Sequence, residues 1–196
     1  HFIEVGEDYI ELMNKYVVPF VEEGDMMSCS EKVIAMCQAN VVKMEDMKLK
    51  WYTKIMSKFG KKTESGIGIT EPYKLQLMID MKGLPKVLYA GAVGLFGKLI
   101  GKRGWFYEIL GPECSGIDGF YAHSDFPIYH TMATLIPREP SKVWNEVTEK
   151  CGFPMMIVDA NDINVEVLGK SDALSHVSDK NLALRIDDNP AGQGDE

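Results

Sequence analysis

Apolar positions recur at helical spacing between Glu7 and Phe20, where Tyr9, Ile10, Met13, Tyr16 and Val17 share one face, and this predicts an amphipathic helix. Pro19 and the Glu-Glu-Gly-Asp run at 22–25 mark its end. Met26–Ser30 reads as a short strand, and Glu31 to Asn40 reads equally as strand or helix. A second helix is predicted from Glu71-Pro72 to Asp80, with Leu75, Met78 and Ile79 as its apolar stripe and Gly83-Leu84-Pro85 as its stop. Phe106 to Leu110 reads as a strand closed by Gly111-Pro112. Pro140-Ser141 opens a helix to Lys150, with Ser141 as the expected N-cap. Met155-Met156-Ile157-Val158 reads as a buried strand that delivers Asp159 at its carboxyl end, a common address for loop chemistry. The interleaving of helix and strand patterns is consistent with an α+β fold.

Composition narrows the class. The chain has 196 residues, 45% hydrophobic and 26% charged, ordinary for a soluble globular protein and unlike a disordered, collagenous or coiled-coil chain. The formal net charge of −8 argues against general nucleic-acid binding, which needs a basic footprint. The longest apolar run, Val87–Gly97, is shorter than the ~20 residues of a membrane helix, so no membrane partner is expected. His1-Phe2-Ile3-Glu4 lacks the pattern of a secretory signal. Both ends are expected to be trimmed from a longer protein, and residues 1–196 to form a single domain. Cys29, Cys37, Cys114 and Cys151 form no CxxC pair and no zinc spacing, and with twelve methionines they suit a reduced cytoplasm as buried thiols.

Charge is unevenly spread. Residues 41–62 hold seven lysines against Glu45 and Asp46, a net of +5, and Lys50, Lys54 and Lys58 share a face if this stretch is helical, with Trp51, Ile55 and Phe59 on another. Such a face is either simply solvated or attractive to an anionic ligand. Glycines at 91, 94, 97, 101 and 104 within apolar sequence suggest close element packing or a flexible segment, and match neither a Walker loop nor a dinucleotide fingerprint. Residues 151–196 carry a net of −6 and end in a polar, turn-rich segment.

The best candidates for chemistry are carboxylates at turns. Asp118 lies in Gly-Ile-Asp-Gly, and Asp159 and Asp162 follow the buried strand. Converging carboxylates would suit Mg²⁺ or Mn²⁺, hard ions that take oxygen ligands and keep several waters. Asp residues are equally common as caps and turn residues. His123, Asp125 and His130 form a weaker metal candidate beside a reading as loop histidines. Neither a nucleophile elbow nor an H-E-x-x-H pattern is present, and no general base can be named.

Taken together, several segments resemble the coenzyme F420-0:L-glutamate ligase (γ-glutamyl ligase) family, in a short divergent bacterial branch. Gly6-Glu7-Asp8-Tyr9-Ile10-Glu11-Leu12, Glu23-Gly24-Asp25 and Ser30-Glu31-Lys32-Val33-Ile34-Ala35 resemble its opening helix, turn and strand. Gly116-Ile117-Asp118 resembles its metal motif, Val158-Asp159-Ala160-Asn161-Asp162 its strand-end segment, and Gly192-Gln193-Gly194-Asp195-Glu196 the segment before its last strand. The resemblance implies mixed sheets flanked by helices in an intertwined homodimer. It implies a GTP-dependent ligase, or one using another nucleoside triphosphate, that attaches glutamate or a similar amine to a small-molecule carboxylate. Asp118 and Asp159 fall on metal-binding positions for Mg²⁺ or Mn²⁺, and Glu31, Lys32, Asn161 and Gln193 on the nucleotide side.

The chain departs from the family at Met36, where many members carry a phosphate-contacting lysine, at Tyr121 and at Ala160. Residues 41–110 depart most and are expected to form an acceptor site or a lid. An alternative is a ligase-like protein that binds nucleotide or another phosphate ligand without forming amides. A third is an interaction protein using the segment from Lys43 to Lys62 and the aromatic loop.

Overall fold

In the computed structural model, which describes residues 1–59, 70–102, 104–120, 127–160 and 165–186, helices and short strands interleave as an α+β architecture. The described helices are α1 (Tyr9–Tyr16), α2 (Glu31–Cys37), α3 (Trp51–Met56), α4 (Pro72–Lys82), α5 (Leu84–Leu99), α6 (Trp105–Leu110), α7 (Pro112–Ser115), α8 (Pro140–Cys151) and α9 (Asp179–Ala183). The strands are β1 (Met27–Ser30), β2 (Val41–Lys43), β3 (Asp118–Gly119), β4 (Met132–Thr134), β5 (Met155–Ala160) and β6 (Val165–Lys170). The chain divides into two compact units, one of His1–Asn40 with Pro137–Glu196 and one of Val41–Ile136. The second unit begins where the lysine-rich sequence begins.

The first unit is organised by a three-stranded sheet in the order β1-β5-β6, with β1 parallel and β6 antiparallel to β5. Met155, Met156, Ile157 and Val158 are all buried, because β5 is covered on both faces. Met155 and Ile157 pack with Val143, Trp144 and Val147 of α8, Met13 of α1 and Ile34 of α2. Met156 and Val158 face the other way, onto Leu174 and Leu182. The Trp144 indole is fully buried against β6, and a Cβ at Gly169 would stand 2.4 Å from its Cζ2 atom.

Capping explains where the elements start. One Asp8 carboxylate oxygen accepts from the Ile10 and Glu11 amides at 2.7 and 3.1 Å, so α1 starts at Tyr9. It ends at Tyr16, earlier than the predicted Phe20, and a 3-10 turn from Val18 to Phe20 carries Pro19, whose ring cannot donate to the ladder. The Ser30 hydroxyl accepts from the Lys32 amide, which resolves the ambiguous stretch after it into helix α2. Ser141 is not the cap of α8. The helix starts one residue earlier at Pro140, preset by its ring, and Glu139 takes the cap position at φ 42 without a side-chain cap. Tyr9 donates to Glu146, and Lys150 donates to the same carboxylate at 2.6 Å, joining α1 to α8.

The second unit packs Leu75, Met78, Ile79, Val87, Ala90 and Leu110 with Ile117, Phe120 and Ala133. Its sheet runs β2-β4-β3, antiparallel throughout. Gln76 is fully buried and hydrogen-bonded at both ends: its carbonyl accepts from Thr53 Oγ1 at 2.7 Å and the Lys50 amide at 3.1 Å, and its amide donates to Asp80 at 2.8 Å. That bond set turns α3 so that Thr53 and Ser57 are buried while Trp51 and Ile55 face outward. The glycine-rich segment is helical as α5 as far as Leu99, with Gly101 and Gly104 beyond its end at positive φ, and the expected strand at Phe106–Leu110 is helical in α6. Cβ atoms at Gly94 and Gly97 would stand 3.1 Å from Phe106 Cβ and 3.0 Å from Trp105 Cε3, so these glycines let α6 lie close against α5.

Two glycine substitutions separate close packing from helix propensity. Gly169→Ala drives a methyl into Trp144 and is expected to lower stability by about 1–3 kcal/mol in urea denaturation. Gly91→Ala meets nothing within 4 Å inside α5 and is expected to raise it by about 0.5–1 kcal/mol. Equal effects would refute the packing account.

Candidate functional site

In the first unit the parallel pairing of β1 with β5 aligns Ser30 with Val158. Because the two strands run the same way, their carboxyl ends point to the same end of the sheet, with β5 running two residues past β1 to Ala160. Glu31 and Lys32 therefore follow β1 at the sheet end where Asp159 follows Val158. Side chains alternate along a strand, so Asp159 shares the face of Met155 and Ile157, the face on which Ile34 of α2 packs. Glu31 and Lys32 are thus gathered with Asp159, more than a hundred positions further along the chain, at one end of one sheet. Glu31 is only 5% exposed, whereas Lys32 and Asp159 are half-buried.

A residue that pattern reading missed joins them. The β5–β6 register shifts between Ile157 and Val158, which leaves Leu168 as a bulge, and after it Asp159 stands opposite Glu166. Residues directly opposite on a ladder share a face with Cβ atoms about 4.5–5.5 Å apart, so two carboxylates adjoin. In the sequence Glu166 lies between Val165 and Val167 with nothing to mark it as a partner of Asp159. Only the bulge gives it this partner.

Asp118 belongs to the second unit and is held by its neighbours. Ile117 and Phe120 are buried anchors on either side, and the Phe120 amide donates to the Met132 carbonyl at 3.0 Å. Gly119 must be glycine: a Cβ there would stand 2.3 Å from the Met132 carbonyl oxygen and 2.5 Å from Ala133 Cα. Asp118 pairs with Thr134, whose hydroxyl donates to the Asp118 carbonyl at 3.3 Å. The Gly-Ile-Asp-Gly sequence is therefore a clamped turn carrying a half-buried carboxylate.

The remaining sequence-predicted positions divide in two. Asn161, Asp162, Gln193, Tyr121, His123 and Asp125 lie outside the described residues. Met36 is 2% exposed in α2, so its position supplies core volume and no cation. Among the described residues no three or more His, Cys, Asp or Glu side chains converge as a metal site. No described helix is long and apolar enough to cross a membrane. As donors, Asp159 with Glu166 in the first unit, and separately Asp118 in the second, offer only carboxylate oxygens, the donor type suited to a hard divalent ion that keeps most of its water. Scans against protein-family models and curated proteins found no match.

The buried thiols complete the chemistry. Burial pushes Cys29 up to about 12, with a smaller push from Cys37. Burial likewise lifts Cys37 to about 11, with Glu7 and Asp8 adding to it. Neither is a thiolate near neutrality, so neither is a nucleophile. The unfolded chain releases these protons near pH 8.5 while the folded chain keeps them, so their stabilisation is complete below about pH 8.5 and falls as pH rises toward the folded values. The denaturation midpoint is expected to drop between about pH 8.5 and pH 10, and Cys29→Ala to flatten that drop. A wild-type alkaline slope retained in Cys29→Ala would overturn this assignment.

Proposed function

We propose that this protein is a nucleotide- and divalent-metal-dependent amide ligase of the γ-glutamyl type. The observation that supports it most is the gathering of Glu31, Lys32 and Asp159 at the carboxyl ends of the parallel strands β1 and β5, with Glu166 beside Asp159. Open sheets commonly bind ligands at that end. In this reading Asp159, and separately Asp118 on its clamped turn, are ligands for Mg²⁺ or Mn²⁺. When bound, such an ion offsets the negative charge of the nucleotide phosphates. Lys32 offers a cation on the nucleotide side, and Asn161 and Gln193 are further contacts there.

The reaction has two balanced steps. A carboxylate oxygen of the acceptor attacks the γ-phosphorus of GTP, forming an acyl phosphate and releasing GDP. The amine of glutamate or a similar compound then attacks the acyl carbon, the carbon–oxygen bond to phosphate breaks, and amide, inorganic phosphate and a proton leave. The reading carries with it a cytoplasmic location, where nucleoside triphosphates are available, and an intertwined homodimer. A second reading, nucleotide binding without amide formation, is favoured by Met36, which is buried where the resembled family uses a phosphate-contacting lysine.

Thermal unfolding with GTP, ATP or GDP, each with Mn²⁺ or Mg²⁺, tests the site. A ligand at ~100 times its Kd adds about 2.7 kcal/mol, a rise of roughly 5–10 °C in Tm for a chain of this size. The rise is expected to require metal and to be lost in Asp159→Asn and in Asp118→Asn. No rise with any nucleotide would overturn both readings. A metal-dependent rise without phosphate release across a panel of carboxylates and amino acids would select the second.

A further inference from the structure

Helix α5 packs in an unusual sense. It turns its small residues inward and its large ones outward. Val87, Ala90 and Gly97 are buried, and Gly94 and Gly97 form the close contact with α6. Leu88, Tyr89, Leu95, Phe96, Leu99 and Ile100 are all more than half exposed, Leu99 to 77%. Positions 88, 95, 96 and 99 fall on one side of a helix of 3.6 residues per turn, so these side chains form a continuous apolar stripe. Its inner face is already occupied by α6. Among the described residues nothing covers the outer one.

Charge indicates what covers it. From Met81 to Tyr107 the sequence holds Lys82, Lys86, Lys98, Lys102 and Arg103 and no acid, in a chain whose net charge is −8. Among the described ones, Lys82 pairs with Glu113, a carboxylate that Lys86 also reaches electrostatically, whereas Lys98 and Lys102 have no carboxylate partner shown. On the helical wheel Lys86 and Lys98 lie on opposite flanks of the stripe. Long lysine side chains there can keep their stems on apolar surface and their ammonium groups among anions. Two copies meeting through this face would set base against base, which disfavours self-association. The sixteen residues of α5 span about 24 Å, less than the ~30 Å of a hydrocarbon core. The helix is therefore suited to lie on a bilayer and not to cross one. The same unit carries a second feature of this chemistry, with Trp51 and Ile55 exposed on α3 amid Lys50, Lys54 and Lys58.

We infer that the outward face of α5 is a membrane-docking surface, its apolar stripe resting in the interface of an anionic lipid surface and its flanking lysines on the headgroups. This face belongs to the second unit and does not depend on the ligase reading. It also departs from the expectation of no membrane partner, which rested on spanning length alone.

Flotation of the 196-residue chain with vesicles tests it. The chain is expected to float with vesicles of phosphatidylcholine and phosphatidylserine in equal parts, not with phosphatidylcholine alone, and to be released by salt. Leu95→Gln with Leu99→Gln is expected to abolish flotation while leaving the melting profile unchanged, since both side chains are exposed. Lys86→Glu with Lys98→Glu is expected to weaken it at least about 25-fold, from a roughly five-fold contribution per lysine. Absence of flotation with the anionic vesicles, or wild-type flotation by both variants, would overturn the inference. So would a concentration-dependent dimer that the leucine variant disperses without any lipid binding, which would assign the face to a second copy.

Discussion

The double burial of β5 is the constraint on which the first unit depends. A strand covered on both faces must be apolar on both, and Met155 through Val158 meet that demand without a break. Each face then recruits its own cover. The odd positions draw α1, α2 and α8 over one side, and the even positions draw the segment around Leu174 and Leu182 over the other. The edges are filled by β1, which runs parallel to β5, and by β6, which the short connection from Ala160 to Val165 returns antiparallel. Asp159 is the first polar residue after the buried run. It stands at the sheet end because the hydrophobic demand stops there.

The second unit solves a different problem. Its largest apolar segment is a helix whose glycines meet α6, so contact is made through backbone proximity instead of side-chain bulk. Bringing backbones that close leaves no room for leucine or phenylalanine on the inner side, and those residues lie outward. A soluble monomer rarely keeps a contiguous apolar stripe in water without use for it. At α3 the fully buried side chains are polar, Thr53 held by Gln76 and Ser57 by the Lys54 carbonyl, beside the half-buried Tyr52 and Met56, and the apolar Trp51 and Ile55 are again outward. The two helices share a design in which specificity inside comes from glycine contact or hydrogen bonds.

Much of the first unit was legible because its elements follow one periodicity each. The spacing in α1, the start of α8 near Pro140 and the four-residue apolar run of β5 all correspond to burial seen in the fold. The second unit was less legible. Phe106 to Leu110 is rich in aromatic and β-branched residues and short enough to suit a strand, but Gly94 and Gly97 offer a groove that a helix fills. The outward face of α5 was hidden for a related reason: an apolar run reads the same whether its bulky side chains point in or out. At the candidate site, Asp118 and Asp159 were readable from their turn and strand-end contexts. Glu166 was not, since a bulge at Leu168 is a tertiary event that alternation along β6 does not announce.

The placement of Glu166 bears on the ligase reading through energetics. Two carboxylates directly opposite on a ladder repel, at a cost of about 0.2–1 kcal/mol. Without the bulge the register would shift by one, and Glu166 would lose its position opposite Asp159. The bulge thus creates a small electrostatic cost at the one sheet end where Glu31 and Lys32 also arrive. Lys32 offsets part of it, being the only base in α2. In the ligase reading, a divalent cation bound there would offset more, turning mutual repulsion into shared ligation. In the proposed reading, the repulsion between Asp159 and Glu166 is what a bound metal would relieve, and Lys32 would take the cationic role that the resembled family gives to a lysine at the position of the buried Met36.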